Sequence, residues 1–201
     1  MSMPSRKAAE QMLAEAEKRN PGPWIDHSLN VAKAAEAIAK AHPELEAEKA
    51  YVLGCLHDIG RREGRTKLRH TIDGYYYLKQ KGYEDCARVC LTHSFLLKDI
   101  QEALTKNDYT EQESAFVQRF IHDTPYHDYD LLIQLCDCLS LPSGLCIIEK
   151  RLVEETLRKG MNRLSIPKWK KTFELKSYFE RTIGTSIYRI LPEIVNCIYV
   201  P

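Results

Sequence analysis

The chain has 201 residues, enough for one substantial core and for no more than two small ones. Hydrophobic residues at 44% and charged residues at 28% are ordinary for a globular protein and exclude the disordered and fibrous classes. Lys plus Arg at 29 against Asp plus Glu at 28 leaves a net charge of +1, so no global field favours nucleic acid or an anionic membrane, and any phosphate recognition has to be local.

Ser5 to Arg19 carries Ala, Met and Leu at helical spacing and stops before Asn20-Pro21-Gly22-Pro23, which cannot continue a helix. A second stripe runs through His27, Val31, Ala34, Ala35 and Ile38 until Pro43, which puts His27 on a buried face. The third helix starts near Glu46, aligns Ala50, Leu53, Gly54 and His57, and ends at Gly60, so that His57 and Asp58 fall in its last turn. Residues 70–81 and 84–93 read as a helical hairpin broken at Gly82. Thr110 with Glu113 forms a capping box ahead of Phe116, Val117, Phe120 and Ile121, and Pro125 closes that helix. The next run, Leu131 to Leu139, is apolar nearly all round and therefore central. Amphipathic helices follow from Ile147 to Arg158 and from about Lys168 to Arg181. Gly160 to Pro167 is the weakest joint, and Ser186 to Val200 is ambiguous between helix and extended chain. One domain is expected over 1–201, with a core at about 24–140 and a helical extension at about 145–201.

The seven cysteines contain no CxxC and read as reduced core residues. No stretch approaches the roughly 18 apolar residues of a membrane span, and the N-terminus lacks an apolar leader segment, so a cytoplasmic location is expected.

Chemistry enters where a helix should be apolar and is not. Asp137, inside LLIQLCDCLSL, and Asp58, beside the buried end of the third helix, would each be costly to bury ionised without a partner. A metal ion supplies one, and His27 and His57 offer neutral nitrogens to complete a mixed N/O set drawn from three helices. Adjacent helical residues point about 100° apart, so His57 and Asp58 share a site only at a helix end or beside two neighbouring ions.

His27, then His57-Asp58, then Asp137, in the contexts LGCLHDIGR and LLIQLCDCLS, resemble the HD-domain superfamily over about residues 24–140. That resemblance implies an all-α bundle with added C-terminal helices and one or two divalent ions, with Fe, Mn, Zn, Co, Ni and Mg not distinguished. His70, in His-Thr-Ile-Asp-Gly, and His93, in Leu-Thr-His-Ser, resemble the two extra histidines of dinuclear HD centres. Similar patterns occur in HD-type diadenosine tetraphosphate hydrolases and in HD oxygenases. Where the family often has Lys after HDIG, this chain has Arg61. The dipeptides His122-Asp123 and His127-Asp128 lie in polar, Pro-containing sequence and are set aside.

The implied activity is phosphohydrolysis of a nucleotide or related small phosphate ester, by a metal-activated water with Asp58 as ligand and bridge. Arg61 and Arg62 are the candidates to grip phosphate and offset its charge, and Asp130, seven residues before Asp137, is a further candidate on the pocket face. Competing readings are a metal-free ion-pair network for the quartet, a zinc site or core position for His93 with Cys86 and Cys90, and a solvent-facing helix start for His70. At the level of function, a dinuclear-iron oxygenase and a non-catalytic nucleotide-binding module stand against the hydrolase. Tyr75-Tyr76-Tyr77 read as core, His42, His122 and His127 as surface or outer residues, and Trp24 as fixing the entry to the second helix. The oligomeric state is left open.

Overall fold

A computed structural model describes residues 3–199. Helix α1 spans Arg6–Arg19, opened by the Ser5 hydroxyl accepting from the Ala8 N–H, and α2 spans Trp24–Ala41. The Trp24 indole N–H donates to the Asn20 carbonyl, tying the entry of α2 to the end of α1. After a short loop comes α3, Ala47–Leu56, packed so closely on α2 that a Cβ at Gly54 would lie 2.7 Å from the Ala32 Cα. A 3-10 turn, Ile59–Glu63, leads to α4 at Arg69–Gln80 and α5 at Glu84–Thr92. Gly82, at φ 75°, makes the left-handed turn between these two helices.

Helix α6, Glu111–Asp123, carries the expected capping box between Thr110 and Glu113, and α7 runs from Asp128 to Cys138. A two-stranded hairpin, β1 at Ser140–Leu141 with β2 at Gly144–Leu145, reverses the chain into α8, Ile148–Lys159, and α9, Ser165–Ile183. The long helix starts three residues earlier than periodicity suggests, because Pro167 sits in its first turn, where a missing N–H costs nothing. The tail resolves into short helical pieces, α10 at Ile187–Ile190, a 3-10 turn at Pro192–Val195 and α11 at Asn196–Tyr199; Val200 lies outside the described residues.

The fold is, as expected, an all-α bundle, with one two-stranded hairpin. Its main core draws on every helix from α1 to α10 except α6, with Ile38, Leu53, Leu56, Ile133 and Phe179 fully buried. A smaller cluster, Leu68, Ile72, Leu91, Phe95, Val117 and Ile121, joins α4, α5 and α6. Among the described residues, no helix is long and apolar enough to cross a membrane.

His42, expected at the surface, is buried and its ring packs 5.9 Å from that of Phe179, because the C-terminal α9 covers the end of α2. His122 is exposed as expected, and His127 is the N-cap of α7. The cysteines are free thiols, and burial pushes those at 55, 86, 138 and 146 up to about 12, as suits inert core residues.

Candidate metal centre

Two antiparallel helical hairpins deliver the ligand candidates to one place. In the α2–α3 pair, the start of the first helix and the end of the second lie at the same end, which brings His27 and His57 together with ring centroids 5.3 Å apart. The α4–α5 pair repeats the device with His70 and His93, whose centroids are 5.5 Å apart. The two pairs meet at His57 and His93, 4.9 Å apart. Helix α7 adds Asp137 one residue before its end, with Oδ1 3.0 Å from the His27 Nε2.

Asp58 occupies the centre. Helix α3 ends at Leu56, short of the Gly60 turn at which the sequence places its end; His57 is its C-cap and Asp58, at φ −104° and ψ 11°, has left the helix. That departure removes the 100° offset of adjacent helical residues and lets both side chains face the same space. The 3-10 turn that follows is pressed against α4 so tightly that a Cβ on Gly60 would fall 1.9 Å from the His70 carbonyl oxygen. Consequently Asp58 Oδ1 lies 3.1 Å from His70 Nε2 and 3.5 Å from His93 Nε2, and Oδ2 lies 3.9 Å from His57 Nε2. His27, His57 and Asp58 offer ligand atoms all within 4.8 Å of one another, and so do Asp58, His70 and His93. Asp58 belongs to both triads.

Hydrogen bonding sets the imidazoles. His57 Nδ1 donates to the Gly54 carbonyl at 2.7 Å, His93 Nδ1 to that of Val89 at 3.2 Å, and His70 Nδ1 to that of Lys67. Each Nε2 therefore carries a lone pair directed at Asp58, the tautomer that a metal ligand needs. At His93 the Ser94 hydroxyl donates to this lone pair at 2.9 Å, and at His70 an Arg61 N–H approaches at 3.4 Å. His57 Nε2 and Asp58 Oδ1 are buried with no hydrogen-bond partner. Two orphaned acceptors side by side are costly in a metal-free core and are what a cation would satisfy, so the donor set fits a divalent ion.

Electrostatics point the same way. Burial holds His57 down to about 3 and His70 down to about 4, the latter helped by Arg61, so both are neutral near pH 7. Burial alone would raise the Asp58 carboxyl, but Arg61, donating from Nε to Oδ2 at 2.6 Å, holds it well below the usual carboxylate range. Asp137 is likewise held low, burial being outweighed by His27 and then by Arg151, whose Nη2 is 3.9 Å away. Its side chain is 27% exposed, less enclosed than its apolar helix suggests, because it opens onto the cavity.

That cavity, about 580 Å³, has the ligand cluster and Arg61 on one side and residues of α8 and α9 on the other. Two predicted substrate residues do not line it. Asp130 turns inward, accepting from Arg88, the Thr92 hydroxyl and the His127 N–H. Arg62 lies over the Tyr77 ring, 4.0 Å from its centroid. His70, which could have been a solvent-facing helix start, is buried, and Cys90 gives its S–H to the Leu56 carbonyl rather than joining His93 in a thiolate site. Not foreseen are Arg151, Lys168 and Glu102, which line the cavity from segments whose sequence reads as ordinary amphipathic helix or loop.

No curated protein and no solved structure matches the chain. The pattern of the HD domain family matches residues 24–141, the span that carries the ligand candidates from His27 to Asp137. The chain belongs to the HD domain family.

Proposed function

We propose that the protein is a metal-dependent phosphohydrolase acting on a nucleotide or a related phosphate ester. The observation that carries this reading is Asp58, shared between two buried histidine triads and left with an unsatisfied oxygen at the wall of a cavity. His27, His57, Asp58 and Asp137 would hold one ion, and Asp58, His70 and His93 a second. Divalent ions bound there supply Lewis acidity and a water ionised near neutral pH. Arg61, anchored on Asp58 through Nε, keeps N–H groups for a phosphoryl oxygen, with the fork geometry that a lysine at this position would lack. Gly54 and the Val89 and Lys67 carbonyls fix the ring orientations, so the ligands are held before a substrate arrives.

Arg61, Lys67, Arg151 and Lys168 on the cavity wall favour an anionic substrate. The indoles of Trp24 and Trp169 on the same wall suit the flat face of a nucleobase. The test is a screen of phosphomonoesters, phosphodiesters and dinucleoside polyphosphates against Mn, Fe, Co, Ni, Zn and Mg. Turnover is expected that chelation removes and that Asp58→Ala lowers at least a thousandfold. Turnover undiminished after complete metal removal, or none with any ester and metal, would contradict the proposal.

A further inference from the structure

The family match ends at residue 141, yet the cavity does not. Its far wall is built by α8 and α9, which contribute Arg151, Arg158, Lys159 and Lys168 against the carboxyls of Glu154 and Glu155, with Glu102 reaching in from the loop after α5. Four cations face these three carboxyls and Asp137, so charge alone does not single any of them out. Two of the cations are satisfied locally: Arg158 donates to Glu154 at 2.9 Å and Lys159 to Glu155 at 2.7 Å.

The other two are only partly paired. Arg151 is 15% exposed; it spends Nη1 on Glu154 at 3.1 Å and reaches Asp137 only at 3.9 Å, and its Nε is buried with no partner. Lys168 is 25% exposed, and its nearest carboxylate among the described residues is Glu102, at 3.8 Å, too far for a hydrogen bond. Glu102 is itself a weak counter-charge, because burial pushes its carboxyl up to about 7. Nearby carboxyls, Glu102 and Glu155 for Lys168 and Asp137 and Glu155 for Arg151, outweigh burial and keep both charged, yet neither is saturated: among the described residues the ammonium makes no hydrogen bond and the guanidinium has an idle N–H, both beside one cavity and a metal-ligand candidate. Their spacing from the ligands is short: Arg151 neighbours Asp137, which neighbours His27.

Building on the hydrolase reading, we infer that Arg151 and Lys168 form a second anion subsite that holds a phosphoryl group next to the one that reacts, so that the preferred substrates carry at least two linked phosphoryl groups. The ligand ions and Arg61 take the reacting group, and the C-terminal helices take its neighbour. A monophosphate would leave Arg151 and Lys168 unsatisfied and bind less well for that reason.

Both tryptophans of the chain line the cavity, so their fluorescence reports its occupancy. The probe is inorganic pyrophosphate, with inorganic phosphate beside it, titrated into the full-length protein in excess chelator so that no metal mediates binding. Saturable quenching is expected, tighter for pyrophosphate. Lys168→Gln and Arg151→Gln should each weaken it at least tenfold, while Lys168→Arg stays within threefold and the exposed control Arg119→Gln has no effect. Thermal melts identify any variant that fails to fold, and the charge-preserving Lys168→Arg keeps the test decisive if the glutamine variant does. No saturable binding, or binding indifferent to both glutamine substitutions, overturns the subsite. A second arm uses the Mn-loaded protein. Lys168→Gln should raise KM for a nucleoside diphosphate at least threefold more than it raises KM for the monophosphate; equal effects on the two overturn the assignment. If pyrophosphate binds as described but no ester is hydrolysed with any metal, the hydrolase reading fails and the subsite stands.

Discussion

Asp58 touches four groups at once: Arg61 at 2.6 Å, His70 at 3.1 Å, His93 at 3.5 Å and His57 at 3.9 Å. Its charge is compensated mainly by Arg61, since His57 and His70 are kept neutral by burial. That neutrality has a pH signature. In the chelated protein the folded-state values of His57 and His70, about 3 and about 4, lie below the ordinary 6.5, so on acidification the unfolded chain takes up protons first. Stability from these residues is complete above about pH 6.5 and is lost as pH falls towards 4 and then 3. The melting temperature of metal-free protein should therefore drop steadily between pH 7 and pH 4, and a flat profile would mean that the imidazoles are not buried as described. At this scale the nearness of His27, His57 and Asp58, with Asp137 beside His27, was legible because a charged or imidazole group in an apolar helix has few explanations. Arg62 was not: consecutive residues of a 3-10 turn point about 120° apart, so once Arg61 faces Asp58 its neighbour cannot.

Elements explain the two remaining departures. Asp130 and Asp137 share a helix face, as a separation of seven suggests, but at about 1.5 Å per residue they lie about 10 Å apart along α7, and only the later one reaches the cavity. The earlier one fastens α7 to α5 through Arg88 and Thr92. Asp130→Ala should cost about 3 kcal/mol, at the low end for a broken buried pair because Arg88 is 25% exposed, and should leave metal content unchanged. Loss of metal with stability intact would return Asp130 to the site. The contact between the 3-10 turn and α4 is the converse case, a backbone approach that only glycine permits. Gly60→Ala would drive a methyl into the His70 carbonyl and the Gly74 amide, at 1.9 and 2.4 Å. A loss of about 3 kcal/mol or more is expected in denaturant titration, together with weaker metal binding, since His70 moves with α4. No sequence pattern announces this approach, although the glycine of HDIG stands where it is needed.

Across the whole molecule, the ligand cluster arises from symmetry of construction: two short-looped helical hairpins, each giving one histidine from the start of its first helix and one from the end of its second. Helix periodicity and turn residues were enough to predict all four helices and the pairing of α4 with α5; the matching pairing of α2 with α3 was not foreseen. The C-terminal helices were expected as a cover, but sequence could not show that α8 and α9 line the cavity, because their charges alternate as on any solvated helix and their place in space depends on the β1–β2 reversal. The residues of α8 and α9 that line the cavity consequently lie outside the family match.

Elemental analysis of the purified protein after loading with Mn, beside His27→Ala, His93→Ala and Asp58→Ala, tests the shared-aspartate centre most directly. About two ions per chain are expected in the parent, about one in either histidine variant, and close to none when the carboxylate common to both triads is removed. A parent that retains no metal, or a count that Asp58→Ala leaves unchanged, would contradict the account.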